Sequence, residues 1–171
     1  MVLLSESSLS CSLFDNLMQF DLSSLQNRKE GYYYKNGYFF NFCDQLSLTE
    51  GGSQTEAYVF KASNPSVTTY TAGMPGTPFT QKILTSSKTG RVDETTGDDT
   101  NKTAVDYHIE TYFENSVPCG ANTWGTYFEI YCDSSKDGTP SSDDFTVTAD
   151  ESTCKLTIST SHNAGCPVFS L

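Results

Sequence analysis

Six cysteines constrain this chain more than any other feature. Cys11, Cys43, Cys119, Cys132, Cys154 and Cys166 form an even set without a CxxC pair, and no histidine lies close enough to complete a zinc site. Paired thiols are the remaining reading, and a disulfide framework belongs to an oxidising compartment: secretory lumen, endosome or vacuole, or cell surface. Spacing alone does not choose among the pairings open to six cysteines.

A length of 171 residues suits one domain that can bury its own core, here residues 11–171 behind an N-terminal extension of residues 1–10. Gly, Ser, Thr and aromatic residues dominate, and Lys plus Arg number only 10, which favours an all-β chain with many turns. The formal net charge of −11 leaves no basic patch to neutralise phosphates, which excludes nucleic acid as a partner and disfavours acidic membrane surfaces. Asn101-Lys-Thr is an N-glycosylation acceptor, whereas proline blocks Asn64-Pro-Ser. No stretch approaches the roughly eighteen apolar residues of a membrane helix, and "MVLL" is too short for a signal-peptide core. The expectation is a trimmed ectodomain whose leader, and any membrane anchor, lie outside this segment.

Along the chain, Leu13, Phe14, Leu17, Met18, Leu22 and Leu25 recur at near-helical spacing and predict a short amphipathic helix over 11–25. "YYYKNGYFFNFC" reads as an aromatic hairpin around Asn36-Gly37. A two-residue turn there would set Tyr34 opposite Phe39 and Tyr33 opposite Phe40, and aromatic strands of this kind are core walls before they are ligand platforms. "TEAYVFKAS" carries apolar residues on both faces, as a central strand does. Residues 63–103 read as loops around one short strand, "FTQKIL", with the acidic "DETTGDD" as solvated surface. In the C-terminal third, Val105, Tyr107 and Ile109 alternate with Asp106, His108 and Glu110, and "TYFEIYC", "DFTVTA" and "CKLTIST" follow as further short strands. Together they predict an all-β sandwich or flattened barrel.

Chemistry is sparse. His108 and His162 lack a nucleophile motif such as GxSxG, and among so many serines a Ser/His/Asp combination can always be drawn, so no enzyme is predicted. "DSSKDGTPSSDD" (133–144) puts Asp133, Ser135, Asp137, Gly138 and Asp144 near calcium-loop offsets. Asp stands where the bidentate Glu belongs, however, and the flanks are strands, so a hairpin tip of turn formers is the better reading. No repeat, heptad or phosphate-binding glycine loop is present, and no cofactor is predicted.

Four cysteine-anchored segments taken in order resemble the mannose 6-phosphate receptor homology (MRH) domain. "CSLFDNLMQFDLSSL" is similar to the family's opening, and "GYFFNFCDQL" to its aromatic strand ending in Asn-x-Cys. "PCG" with "TYFEIYCD" resembles its cysteines thirteen residues apart, and "DESTCKLTISTSHNAGCP" its closing segment. The resemblance covers both ends of the chain and is loose over 44–104. It implies a flattened β-barrel of two roughly orthogonal antiparallel sheets and the bridges Cys11–Cys43, Cys119–Cys154 and Cys132–Cys166. It also implies an extended first segment, against the helical periodicity.

Lectins of this family hold mannose with Gln, Arg, Glu and Tyr. By the resemblance, Trp124 stands where the arginine is expected, Leu156 where the tyrosine is, and Tyr58 or Phe60 where the glutamine is. Glu151 alone could supply the glutamate. Sugar hydroxyls buried without donors cost roughly 1–3 kcal/mol each, so two such losses remove about two decades of affinity or more. The expected function is therefore a non-enzymatic luminal or extracellular recognition domain that binds a protein or glycoprotein partner within a sorting receptor or membrane assembly. The second reading is a divergent lectin that takes an N-glycan at Tyr58, Phe60, Trp124 and Glu151.

Overall fold

The computed structural model describes residues 11–15, 17–27, 31–34, 37–50, 53–64, 67–74, 77–91 and 102–169. Among them every regular element is a strand or a one-turn 3-10 segment, and no helix is long and apolar enough to cross a membrane. In chain order, β1 (Ser12–Asp15) and β2 (Met18–Asp21) form a hairpin, and β3 (Tyr32–Tyr34) and β4 (Tyr38–Phe40) a second. β5 (Leu46–Glu50) and β6 (Ser53–Ala57) form a third, then β7 (Val59–Asn64) and β8 (Val67–Ala72) extend β3-β4 into a four-stranded sheet in the order β3-β4-β7-β8. β9 (Phe79–Arg91), β10 (Lys102–Cys119), β11 (Asn122–Cys132), β12 (Thr146–Asp150) and β13 (Lys155–His162) make a five-stranded sheet in the order β12-β13-β11-β10-β9. β14 (Val168–Phe169) returns to pair with β2.

Period-2 alternation builds the core. β13 buries Leu156, Ile158, Thr160 and His162 in strict alternation, and β11 sends Thr126, Phe128 and Ile130 to the same layer. The aromatic strands of the four-stranded sheet meet that face. Phe42 and Phe128 lie 4.5 Å apart, Tyr58 stacks on Phe113 at 5.5 Å, and Tyr32 sits 4.6 Å from Phe145. Such aromatic contacts add about 0.5–1.5 kcal/mol each beyond the area they bury. The result is an all-β sandwich, and "YFF" is core wall, with Tyr38 and Phe40 buried.

All three bridges pair as the resemblance implies: Cys11–Cys43, Cys119–Cys154 and Cys132–Cys166. They bear out the oxidising, extracytoplasmic environment. Two of them have a specific structural job. β11 and β13 pair in parallel from Gly125↔Lys155 to Cys132↔His162; the bridge Cys132–Cys166 links the end of β11 to the segment after β13, and Cys119–Cys154 links the end of β10, at its turn into β11, to the residue before β13. Parallel ladders are slightly weaker per residue than antiparallel ones, and here a bridge lies beside each end. Cys43 and Cys154 also adopt positive φ (65° and 55°), a region that L side chains leave unless their surroundings fix them there.

Four expectations are corrected. The segment 11–25 is not helical: it forms β1, β2 and a 3-10 turn at Ser23–Leu25, as the resemblance implied. Phe14 and Leu17, which the helical stripe would bury, are 69% and 63% exposed, because burial follows the strand alternation that turns Leu13 and Phe20 to the core. The aromatic hairpin pairs one residue out of the expected register, as Tyr34↔Tyr38, Tyr33↔Phe39 and Tyr32↔Phe40. Gly37 takes positive φ just before β4, Asn36 of the expected turn lies outside the described residues, and Tyr32 rather than Tyr33 is the buried ring. Residues 63–103 are richer in strand than their turn-like composition suggests, since threonine and serine also suit β8 and the thirteen-residue β9. Finally, the main sheet is mixed rather than antiparallel, and among the described residues the sheets do not close into a barrel. Of the calls on "TEAYVFKAS", β7 is the inner strand expected, between β4 and β8.

Candidate functional site

A row of three residues crosses the four-stranded sheet, where Tyr38 pairs with Lys61 and Lys61 with Tyr70. The Lys61 ammonium lies 5.0 Å from the Tyr38 ring centroid, a cation–π distance. Tyr70 reaches the opposite sheet, where its hydroxyl bonds the hydroxyl of Thr126 on β11, and Thr126 pairs with Leu156 on β13. Burial pushes the Tyr70 phenol up to about 12, partly offset by hydrogen bonding with the Thr126 and Asn115 side chains.

Opposite this row, β10 is irregular. Its pairing with β11 slips between Glu114↔Gly125 and Pro118↔Thr123, so residues 115–117 face Trp124 alone. An insertion of this kind bends the strand and re-aims its side chains. Asn115 fixes the bend through its carboxamide oxygen, which accepts from the Val117 N–H at 2.8 Å. Val117 and Pro118 thereby turn towards Trp124, whose indole stands edge-on to Tyr70 at 6.2 Å and 80°.

These parts enclose a cleft of about 220 Å³ between the sheets, and Leu156 forms part of its lining. Trp124 and Leu156, the residues at the positions where the resemblance expects arginine and tyrosine, thus come together in one cavity. Lys61 is the charged member of a lining that is otherwise aromatic and aliphatic. No carboxylate, carboxamide or guanidinium among the described residues lines the cleft.

The other sequence candidates fall elsewhere. Tyr58 and Phe60 are core residues, 2% and 1% exposed, and no ligand touches them without opening the sandwich. Glu151 is exposed in the turn before Cys154 and is not part of the cleft lining. Asn101 lies outside the described residues. Lys61 is the strand residue that faces the cleft, three positions after Tyr58. A bend at Tyr58 resets the alternation, so that Ala57, Tyr58, Val59 and Phe60 are all buried in succession. Tyr38, Tyr70 and Val117 were likewise not legible as site residues. Tyr70 lies in a stretch that reads as loop, and no sequence signal marks the irregularity in β10.

Both histidines have structural settings. His162 is 2% exposed, its Nδ1 accepts from the Ala164 N–H at 3.0 Å, and its Nε2 lies 2.7 Å from the Gly138 carbonyl. With Nδ1 accepting, the Nε2–H is the ring donor to the Gly138 carbonyl. His108 stacks on Tyr131 at 4.6 Å on the outer face of the five-stranded sheet. In the 133–144 loop, Asp133 accepts from the backbone and hydroxyl of Ser135, and these bonds hold its carboxyl below the usual range. Asp144 is engaged in a capping box with Ser141, and no cluster of three metal-ligating side chains exists among the described residues. A larger hollow of about 410 Å³ is lined by Thr71, Met74, Pro78 and Glu114 together with Asn115 and Ser116 of the irregular stretch. Comparison with family models and with curated proteins finds no match for this chain.

Proposed function

We propose that this chain is a non-enzymatic recognition domain of an oxidising compartment, built on an MRH-type scaffold, that binds a protein partner within a sorting receptor or membrane assembly. The observation that supports this reading is the chemistry of the cleft. Trp124, Val117 and Pro118 present ring and methyl surface over a floor made by the buried Tyr38, Tyr70 and Leu156, and Lys61 adds one cation. Such a cavity suits an apolar side chain beside a carboxylate, and aromatic-lined pockets of this size are where interface anchors insert. It supplies few partners for the hydroxyls of a hexose, each of which would be buried at a cost of about 1–3 kcal/mol if left unpaired. The second reading, a divergent lectin, draws on the partly exposed Trp124 indole, which could stack on a sugar face.

Trp124 is the one tryptophan of the chain, so its emission reports on the cleft. The test is a titration of the disulfide-intact protein with mannose, mannose 6-phosphate, a pooled high-mannose glycan and 3-phenylpropionate. The expected result is a saturable change with phenylpropionate, weakened in Lys61→Met, and flat traces with the sugars. A saturable response to a sugar that Glu151→Gln abolishes would establish the lectin reading instead.

A further inference from the structure

The small sheet β1-β2-β14 carries the largest exposed apolar side chains of the described residues. Phe14 is 69% exposed, Val168 66%, Leu17 63% and Phe169 60%. Their placement is not scattered. Phe14 and Val168 both pair with Gln19 of β2, from its two sides, so the three form one row across the sheet and alternation puts their side chains on one face. Leu17 lies in the adjoining turn, while Phe169 pairs with Met18 and so belongs to the other face, at its exposed edge. The side chains that pack the sandwich, Phe20, Leu13 and Met18, belong to the other face. The fold therefore does not need Phe14 or Val168 in its core, and grouped exposed apolar residues mark interaction surfaces.

Charge selects the occupant. Residues 11–27 and 163–169, which carry this sheet and its flanks, contain Asp15 and Asp21 and no Lys or Arg, within a chain of net charge −11. Asp21, exposed and two positions from Gln19, shares the face of Phe14 and Val168, and Asp15, exposed beside Phe14 in sequence, pairs with Met18 at the rim of the other face. A second copy would bring aspartate against aspartate, and an anionic lipid surface would be repelled. We infer that this face docks a partner polypeptide whose apolar side chains are flanked by lysine or arginine. The inference concerns a surface separate from the Trp124 cleft and stands or falls apart from it.

The experiment uses the full chain with its disulfides intact and two labelled peptides that share a Leu-Phe core, one flanked by lysines and the other by glutamates, read by fluorescence anisotropy. The expected result is saturable binding of the lysine-flanked peptide, about tenfold or more tighter than the other and weakened by salt. Phe14→Ser combined with Val168→Ser leaves the charge unchanged and should abolish that binding, which separates docking from general attraction to an acidic protein. Both residues are exposed, so the variant should keep its fold, checked by its disulfide map and thermal melt. Trp124→Phe should leave peptide binding unchanged. Equal affinity for the two peptides, no binding of either, or full binding by the double serine variant overturns the inference. So does a concentration-dependent dimer in sedimentation that Phe14→Ser dissociates, since the face would then belong to a second copy.

Discussion

At the scale of single residues, buried polar groups and close backbone approaches are where the fold is least forgiving. His162 joins two stretches of chain by ring hydrogen bonds to Gly138 and Ala164, while its own carbonyl accepts from Asp133. His162→Ala removes both ring partners in a buried place and is expected to cost about 2–4 kcal/mol, measured as a shift in the denaturant midpoint. Asn is a milder replacement and should recover part of the loss. Gly165 is fixed by a different constraint. A Cβ there would come within 2.7 Å of the Ile130 carbonyl oxygen and of the Tyr131 carbonyl carbon, backbone atoms of a central strand. Gly165→Ala should lower the melting temperature by several degrees, an effect of about 1–3 kcal/mol in a domain of this size.

At the scale of elements, legibility in the sequence follows the regularity of burial. β10, β11 and β13 were visible because one face of each is core and the other solvent, so the chain alternates. The N-terminal hairpin was misread because its apolar residues serve two faces, Leu13 and Phe20 inward and Phe14 outward, and the union of two period-2 sets imitates a helical stripe. Lys61 was missed for a related reason, since four buried residues in succession before it erase the phase. The irregular stretch at 115–117 and the parallel pairing of β11 with β13 are not legible at all, because both depend on neighbours distant in sequence. The bridges beside that parallel pair give a prediction. Replacing Cys119 and Cys154 together by serine should cost about 2–4 kcal/mol in the denaturant midpoint. Amide exchange should accelerate first at the Gly125–Lys155 end, with the Cys132–His162 end still protected. The capping box at Ser142–Asp144 is a smaller device. Ser141→Ala should cost about 0.5–2 kcal/mol and weaken the bond from the Tyr33 N–H to Ser142 that ties the edge of one sheet to the other.

At the scale of the whole molecule, acidity and buried phenols act together at high pH. The Tyr70 phenol is held up to about 12 by burial, against 10.0 for the free group. Burial and the neighbouring Glu129 carboxylate raise Tyr131 to about 12 as well, on the exposed face of the sheet. Because the unfolded chain releases these protons first, the stabilisation is intact below pH 10 and is lost as the pH rises towards 12. Tyr70 alone contributes about 2–3 kcal/mol to that loss, and self-repulsion in a molecule already at −11 adds to it. Chemical denaturation at pH 8 and at pH 11 should show the fall, and Tyr70→Phe, which cannot ionise, should reduce it. A chain that unfolds no more readily at pH 11 would remove Tyr70 as its alkaline trigger.

The bridges also decide how the molecule answers a pull. A tension applied outside Cys11 and Cys166 passes from Cys11 directly to Cys43, so the 32 residues of sequence separation between them never feel it. It next runs along the unbridged stretch up to Cys119 and forks there, across the bridge to Cys154 and along the backbone to Cys132, so that residues 133–153 are shielded. Only the middle of the chain can pay out under load, at about 3.3–3.6 Å per residue. Between Cys119 and Cys166 the load divides between β11, which reaches Cys166 through Cys132, and β13, which continues from Cys154, so Trp124 and Leu156 lie on the two loaded strands. A reductant would convert a short tether into a much longer one, and in doing so would release the cleft.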